Sequence, residues 1–353
     1  MVVNNSFVEE KILLVGWGFP PDIDGGLDIH VTRLFEELRE RGIDVDLALP
    51  AVKAPEREHI IGLETGDGDM VQQSRRMSQK VAEIAEEYDI IHTHDWFGAE
   101  SGFKAQKYAE VDWVSTFHSL SSGRNRNPSE RLQRLEKVSA EESDKLIAVS
   151  GRLADEVEQE FGIRPEVVHN GFSAPESSGF DVREELGIED DMIFFVGRHS
   201  EQKGIEHLLY GFKKLLRERD TELVIGGEGY MTDSLKEFAE MLEVEGKVHF
   251  TGYIPDKRLG DYYRAADVFV SPSINEPFGL TITEALETGT PVVATGSGVE
   301  EIAGDSIISV DRNSDSLKNG IVEALDQEKE IDFTSRSWSE MAEDTIEIYE
   351  KLG

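Results

Sequence analysis

The sequence predicts an α/β protein built from two doubly wound, Rossmann-like domains. Three observations lead there. Short, β-branched-rich apolar runs alternate with amphipathic segments of helical period along the chain, as parallel strands covered on both faces require. A Ser-, Pro- and Gly-rich stretch at 171–179 divides these runs into two groups. A chain of 353 residues is also long enough for two cores of ordinary size.

Strands are expected at 11–17, 45–50, 89–94, 113–118, 145–150 and 166–169, and then at 192–197, 222–226, 248–253, 268–272, 291–295 and 307–310. Segments at 26–41, 72–87, 204–219 and 232–245 have helical period. Strand–helix alternation implies parallel sheets and right-handed crossovers. The expected domains are 1–172 and 173–330. A final amphipathic segment within 331–353 carries Trp338, Met341, Ile346, Ile348, Tyr349 and Leu352, and is expected to cross back onto the first domain. The 171–179 stretch reads as a hinge. Ligands of such sheets bind at C-terminal strand ends, so the cleft between the domains is the expected site.

The formal charge is −36, from 36 basic and 72 acidic residues. This argues against nucleic acid and anionic membranes as partners, since both repel an acidic protein. The acid is spread over helix faces, as at Glu83, Glu86 and Glu87, which suits a halophilic protein whose self-repulsion is screened by high salt. There is no cysteine, which excludes disulfides, thiolate chemistry and sulfur-ligated zinc. No apolar run approaches the ~20 residues that span a bilayer. The first ten residues lack the pattern of a secretory signal, so a cytoplasmic location is expected.

The most informative segment is Glu276-Pro277-Phe278-Gly279-Leu280, which runs on to Glu284 and Glu287. It joins a strand end, a turn and a helix start. Pro277 restricts its neighbour, and Gly279 lets the backbone approach a ligand. The helix that follows points free N–H groups back at the turn, a place for an anion such as a diphosphate. Glu276 precedes the helix and Glu284 lies about a turn and a half inside it, so one carboxylate can meet a sugar and the other a ribose. In so acidic a chain the spacing alone carries little; the surrounding strand, turn and helix give it weight.

A second loop, from Gly197 to Gly204, holds Arg198 and Lys203 between a strand end and a helix. Two cations there suit a diphosphate, Arg as a bidentate fork and Lys as a point charge. Near the N-terminus, Gly16-Trp17-Gly18 is followed by Pro20 and Pro21 where a dinucleotide motif needs a helix start, and no acidic residue ends the second strand. That motif reading is weak. His92, His94 and Asp95 end another strand. His92 and His94 face the same way, but the set is not taken as a metal site.

Together, the segment around Glu276 and the Arg198–Lys203 loop resemble the retaining glycosyltransferases of GT-B fold, family four in the usual grouping, which includes glycogen, sucrose-phosphate and mannosyl synthases. The resemblance covers nearly the whole chain and is most specific over 196–295. It implies a hexosyltransferase that takes a nucleotide-diphospho-sugar (UDP-, ADP- or GDP-hexose) as substrate and needs no metal or other cofactor. It implies catalytic roles for Glu276, His118, Arg198 and Lys203. Donor contacts would come from Gly25, Gly26, Gly197, Gly227, Gly229, Tyr253, Ile254, Phe278, Gly279, Leu280 and Glu284.

The acceptor pocket would include His94 and Asp95, which resemble a His-Asp-Trp of the glycogen-synthase branch. Asn170 and Gly171 resemble the domain-junction turn of the family. One stretch has no family template: within 121–140, five basic residues, Arg124, Arg126, Arg131, Arg134 and Lys137, stand against Glu130 and Glu136. Arg124 and Arg126 are read as receiving an anionic acceptor, such as a sugar phosphate or lipid phosphate; the alternative is surface cations paired with acidic neighbours. Two further readings stay open: a sugar-nucleotide 2-epimerase of the same fold, and a non-catalytic sugar-nucleotide or glycan binder.

Overall fold

In a computed structural model, residues 10–352 are described except 24, 125–126, 327–330 and 332. The chain forms two compact units. The first holds Met1–Gly171 with Arg336–Gly353, and the second Phe172–Ser335.

The first unit has strands β1 (Ile12–Val15), β2 (Val45–Pro50), β3 (Ile60–Leu63), β4 (Ile90–His94), β5 (Asp112–Phe117), β6 (Lys145–Ala148) and β7 (Glu166–Val167). Their order is β3-β2-β1-β4-β5-β6-β7, and every pairing is parallel. The sheet is doubly wound, with β4 at the centre and β1 beside it. The sequence reading missed β3. It is an edge strand, only partly buried and broken by Gly62, so it lacks the apolar continuity that marked the others. One face of the sheet packs Leu34, Phe35 and Leu38 of the helix Gly26–Glu40 together with Met341, Ile348 and Tyr349 of the last helix, Trp338–Tyr349. The other face packs Met77 and Val81 of the helix Met70–Ile84.

The second unit has β8 (Asp191–Val196), β9 (Thr221–Gly226), β10 (Val248–Gly252), β11 (Val268–Ser271), β12 (Val292–Ala294) and β13 (Ile307–Ser309), in the order β10-β9-β8-β11-β12-β13. These pairings too are parallel. Its core gathers Ile205, Leu208, Leu209 and Phe212 of the helix Ile205–Leu215 against β8, β9 and β11. In both sheets the chain reverses its winding at the first strand, between β1 and β4 and between β8 and β11. Crevices at such points open outside the C-terminal strand ends.

The Ser-, Pro- and Gly-rich stretch is more ordered than its composition suggests. Asp261 accepts hydrogen bonds from the Ser177 and Ser178 hydroxyls and from the N–H groups of Ser178 and Gly179. The Gly260 N–H donates to Glu176 O at 2.8 Å. Residues 176–179 are therefore fastened to the second unit.

Candidate functional site

The residues read as donor contacts, apart from Gly25 and Gly26 of the first unit, lie on loops and a helix start at the C-terminal edge of the second sheet. β11 ends at Ser271, and a loop leads to Glu276 and to the helix Leu280–Glu287. Gly279 caps that helix at φ 112°, a conformation that favours glycine. The turn is zipped to the next loop by Gly298 N–H to Glu276 O and Val299 N–H to Phe278 O. The Arg198–Lys203 loop is stitched alongside. Ile274 N–H donates to Gln202 O at 2.7 Å, and the Gln202 amide donates to Asn275 O at 3.0 Å. A Cβ on Gly204 would lie 2.2 Å from Pro272 O, so only glycine permits this approach.

Here Lys203 Nζ donates to Glu276 Oε2 at 2.7 Å, and Ser273 Oγ donates to the same oxygen at 3.0 Å. Arg198 is exposed on the same loop. Eight positions after Glu276, Glu284 accepts from the Tyr263 hydroxyl at 2.8 Å. Burial pushes the Glu284 carboxyl up to about 7, against the pull of that hydrogen bond. Lys203 against Glu276, next to a helix N-terminus, is an arrangement with the chemistry to meet anionic and hydroxyl groups.

The neighbouring glycines act by close packing. A Cβ on Gly227 would lie 2.1 Å from Gly197 O, and one on Gly229 would lie 2.3 Å from His199 O. These glycines let the loop after β9 lie directly on the loop after β8. Ile254 is buried beneath Gly226, whereas Tyr253 is 70% exposed and offers an open ring. Phe278 is buried and backs the turn. A cavity of about 840 Å³ lies at the other end of this sheet, where Asp191, Asp220 and Asp267 mark strand beginnings. None of the candidate site residues lines it, and ligands of parallel sheets bind at the opposite end.

In the first unit, strand ends and the helix Gly26–Glu40 bring histidines together. Gly25 and Gly26 are exposed where that helix opens. His94, at the end of β4, has Nδ1 3.2 Å from His118 Nε2, just after β5. The His118 ring stands edge-on to that of His30, with centroids 4.5 Å apart. His30 was not singled out from the sequence. The available signal was a histidine inside the apolar stripe of Leu27, Val31 and Leu34, but that is the pattern of ordinary core packing. His30 Nδ1 meets Asn170 Oδ1 at 2.8 Å, across 140 positions of sequence. Burial lowers His30 to about 4 and His94 and His118 well below the usual histidine range, so all three are neutral at pH 7.

His92 and Asp95 have other tasks. Both His92 nitrogens are occupied, by the Tyr349 hydroxyl at 2.6 Å and the Thr116 hydroxyl at 2.7 Å. Asp95 opens the helix Asp95–Ala109 at φ 47°, a strained position that an aspartate tolerates. Its carboxylate accepts the His118 N–H at 2.7 Å and the Ser119 N–H at 3.3 Å, and pairs with Arg124 at 3.0 Å. Burial raises its carboxyl, and Arg124 opposes that rise.

The basic stretch therefore looks different in three dimensions. Arg124 holds Asp95 and the Ser119 carbonyl, so it braces the loop that carries His118. Arg134 pairs with Glu130 and Lys137 with Glu141 on the helix Glu130–Glu142. Arg126 lies outside the described residues. Glu136, fully buried, accepts from Ser121 N–H at 2.6 Å and Ser121 Oγ at 2.7 Å, and burial pushes it up to about 7.

Two doubly wound units with an anion-ready site at the strand ends define a protein of GT-B type. Residues 180–344 match the family described as glycosyl transferases group 1, and residues 24–174 match glycosyltransferase family 4. The chain belongs to this glycosyltransferase family. It is 32% identical to an uncharacterized glycosyltransferase of Methanocaldococcus jannaschii, covering 96% of this chain and 97% of that one. The fold is shared with sucrose-phosphate synthase from Thermosynechococcus elongatus, at TM-score 0.81 and 22% identity over 97% of this chain and 99% of that one. It is also shared with HepE of Anabaena in complex with UDP and glucose, at TM-score 0.78 and 19% identity over 97% and 100%. Among the described residues, no helix is long and apolar enough to cross a membrane.

Proposed function

We propose that this glycosyltransferase moves a hexose from a nucleotide-diphospho-sugar to a hydroxyl acceptor, with retention of anomeric configuration and without a metal. The observation that carries the reading is the meeting of Lys203 and Glu276, 2.7 Å apart, beside the start of the helix Leu280–Glu287. Departure of the diphosphate builds negative charge on its oxygens. Lys203, Arg198 and the N–H groups at Gly279 and Leu280 stabilise that charge. Positive charge builds on the sugar, and Glu276 holds its hydroxyls and faces that charge. Glu284 takes the ribose, and Tyr253 stacks on the base. That HepE, a protein of the same fold, is seen with UDP and glucose supports a nucleotide-sugar donor.

On the acceptor side, His118 meets the transferred sugar, and His94 with Asp95 shapes the pocket. Attack occurs on the face the diphosphate leaves, and the departing phosphate takes the acceptor proton. A phosphorylated acceptor remains part of the proposal. Its charge would be read by Arg126 and Arg131, since Arg124, Arg134 and Lys137 are paired with Asp95, Glu130 and Glu141.

The test is a panel of nucleotide sugars and acceptors at high salt, where a −36 charge is screened. The expected product has the anomeric configuration of the donor, forms in the presence of EDTA, and falls about 10²-fold or more in Glu276→Gln. An inverted product, or full activity in that variant, overturns the mechanism.

A further inference from the structure

The histidines of the first unit converge more tightly than sugar contacts require. One ring nitrogen from each of His30, His94 and His118 lies within 4.8 Å of the others, and His94 and His118 are already 3.2 Å apart. Three imidazoles holding one zinc-like ion at ~2.1 Å place their nitrogens about 3.4 Å from one another, so a modest inward turn of the rings completes the set. A neutral imidazole carries one lone-pair nitrogen in either tautomer, so each ring has one ligand atom to give.

A further observation points to a ligand. Asn170 Oδ1, itself buried, accepts a hydrogen bond from His30 Nδ1–H and so fixes the tautomer that leaves the lone pair on Nε2. This is the outer-shell support that metal-bound histidines receive.

We infer that His30, His94 and His118 form a binding site for a divalent transition metal such as zinc, cobalt or nickel, and that the bound ion inhibits transfer. A set of three imidazoles suits these ions and does not suit magnesium or calcium, which take oxygen ligands. Three protein ligands leave one position for water. The ion withdraws His118 from the transferred sugar. The inhibition rests on the role proposed for His118, whereas the binding does not.

The experiment titrates the whole protein with Co²⁺ at high salt and reads the visible spectrum. One equivalent is expected to bind with the strong absorption of four-coordinate cobalt, to be displaced by Zn²⁺ and to be untouched by Mg²⁺. His30→Gln and His94→Gln should remove the band, and Asn170→Ala should weaken binding about 10–100-fold. Only the weak octahedral absorption of cobalt on surface carboxylates, or a band unchanged in His30→Gln, overturns the site whether or not the enzyme is active. Binding without inhibition keeps the site and removes its effect on transfer. Because the wild-type titration alone can overturn the proposal, a variant that fails to fold does not decide it.

Discussion

Lys203 Nζ lies 2.7 Å from Glu276 Oε2, so the cation proposed for the diphosphate is held by the carboxylate proposed for the sugar. Both side chains are largely shielded from water. Each neutralises the other until a ligand arrives. A donor carrying both a diphosphate and a hexose can satisfy both groups at once. A free sugar would take Glu276 and leave Lys203 without its anion, a penalty that favours the complete donor.

Removing one partner should therefore cost more than the lost contact. Lys203→Ala is expected to lower kcat/KM for the donor about 10²–10³-fold, as loss of a group that stabilises developing charge does. In a double-mutant cycle with Glu276→Gln, the two changes should couple by ~0.5–3 kcal/mol in the stability of the free protein. Thermal and denaturant unfolding at fixed salt read that coupling; strict additivity would mean that the pair is incidental.

Donor affinity should depend on pH through Glu284. Burial pushes its carboxyl up to about 7, above the ordinary 4.5. The ionised form is the better acceptor for ribose hydroxyls, so donor affinity should fall as pH drops through about 7. The linkage to folding has the opposite sense. A raised carboxylate favours the folded state fully below its unfolded value, and that contribution is lost as pH rises through 7. Glu284→Gln should flatten the pH dependence of donor KM. A profile that keeps its shape in that variant assigns the titration elsewhere.

Asp261 should be a stability residue. Burial alone would raise its carboxyl, but hydrogen bonds from Ser177, Ser178 and Gly179 outweigh burial and hold it well below the carboxylate range. A carboxylate depressed in this way adds stability above its unfolded pKa, which is lost as pH falls through the folded value. Asp261→Ala frees the 177–179 segment and should cost about 2–4 kcal/mol at neutral pH. The penalty should shrink in acid. Denaturant midpoints at pH 7 and about pH 2 make the comparison, since the contribution is lost only below the unfolded pKa near 3.8.

Gly171 should admit no side chain. A Cβ there would lie 2.4 Å from Trp338 Cα and 2.5 Å from its nitrogen, and backbone cannot swing aside as a side chain can. Gly171→Ala should cost about 1–3 kcal/mol, because it pushes on the start of the helix Trp338–Tyr349 that completes the first core. Its Tm should drop by several degrees. An unchanged Tm would show that the last helix shifts freely.

Much of this protein was legible in its sequence because the signals are local. Periodicity marked twelve of the thirteen strands, and only β3, short and half-exposed with a glycine in it, escaped. The Glu276 turn and the Arg198–Lys203 loop were legible because each is one strand end, one turn and one helix start, all contiguous in sequence. What the tertiary structure decided is partnership. Nothing local tells that Lys203 reaches Glu276, that Tyr263 reaches Glu284, or that Asn170 reaches His30 across 140 positions. The strand order sets those meetings. It also turned Arg124 from a free cation for an acceptor into a brace for the His118 loop, since β4 and β5 are neighbours and bring Asp95 beside it. Composition and period select elements one at a time. Only the winding of the sheets chooses which side chains share a site.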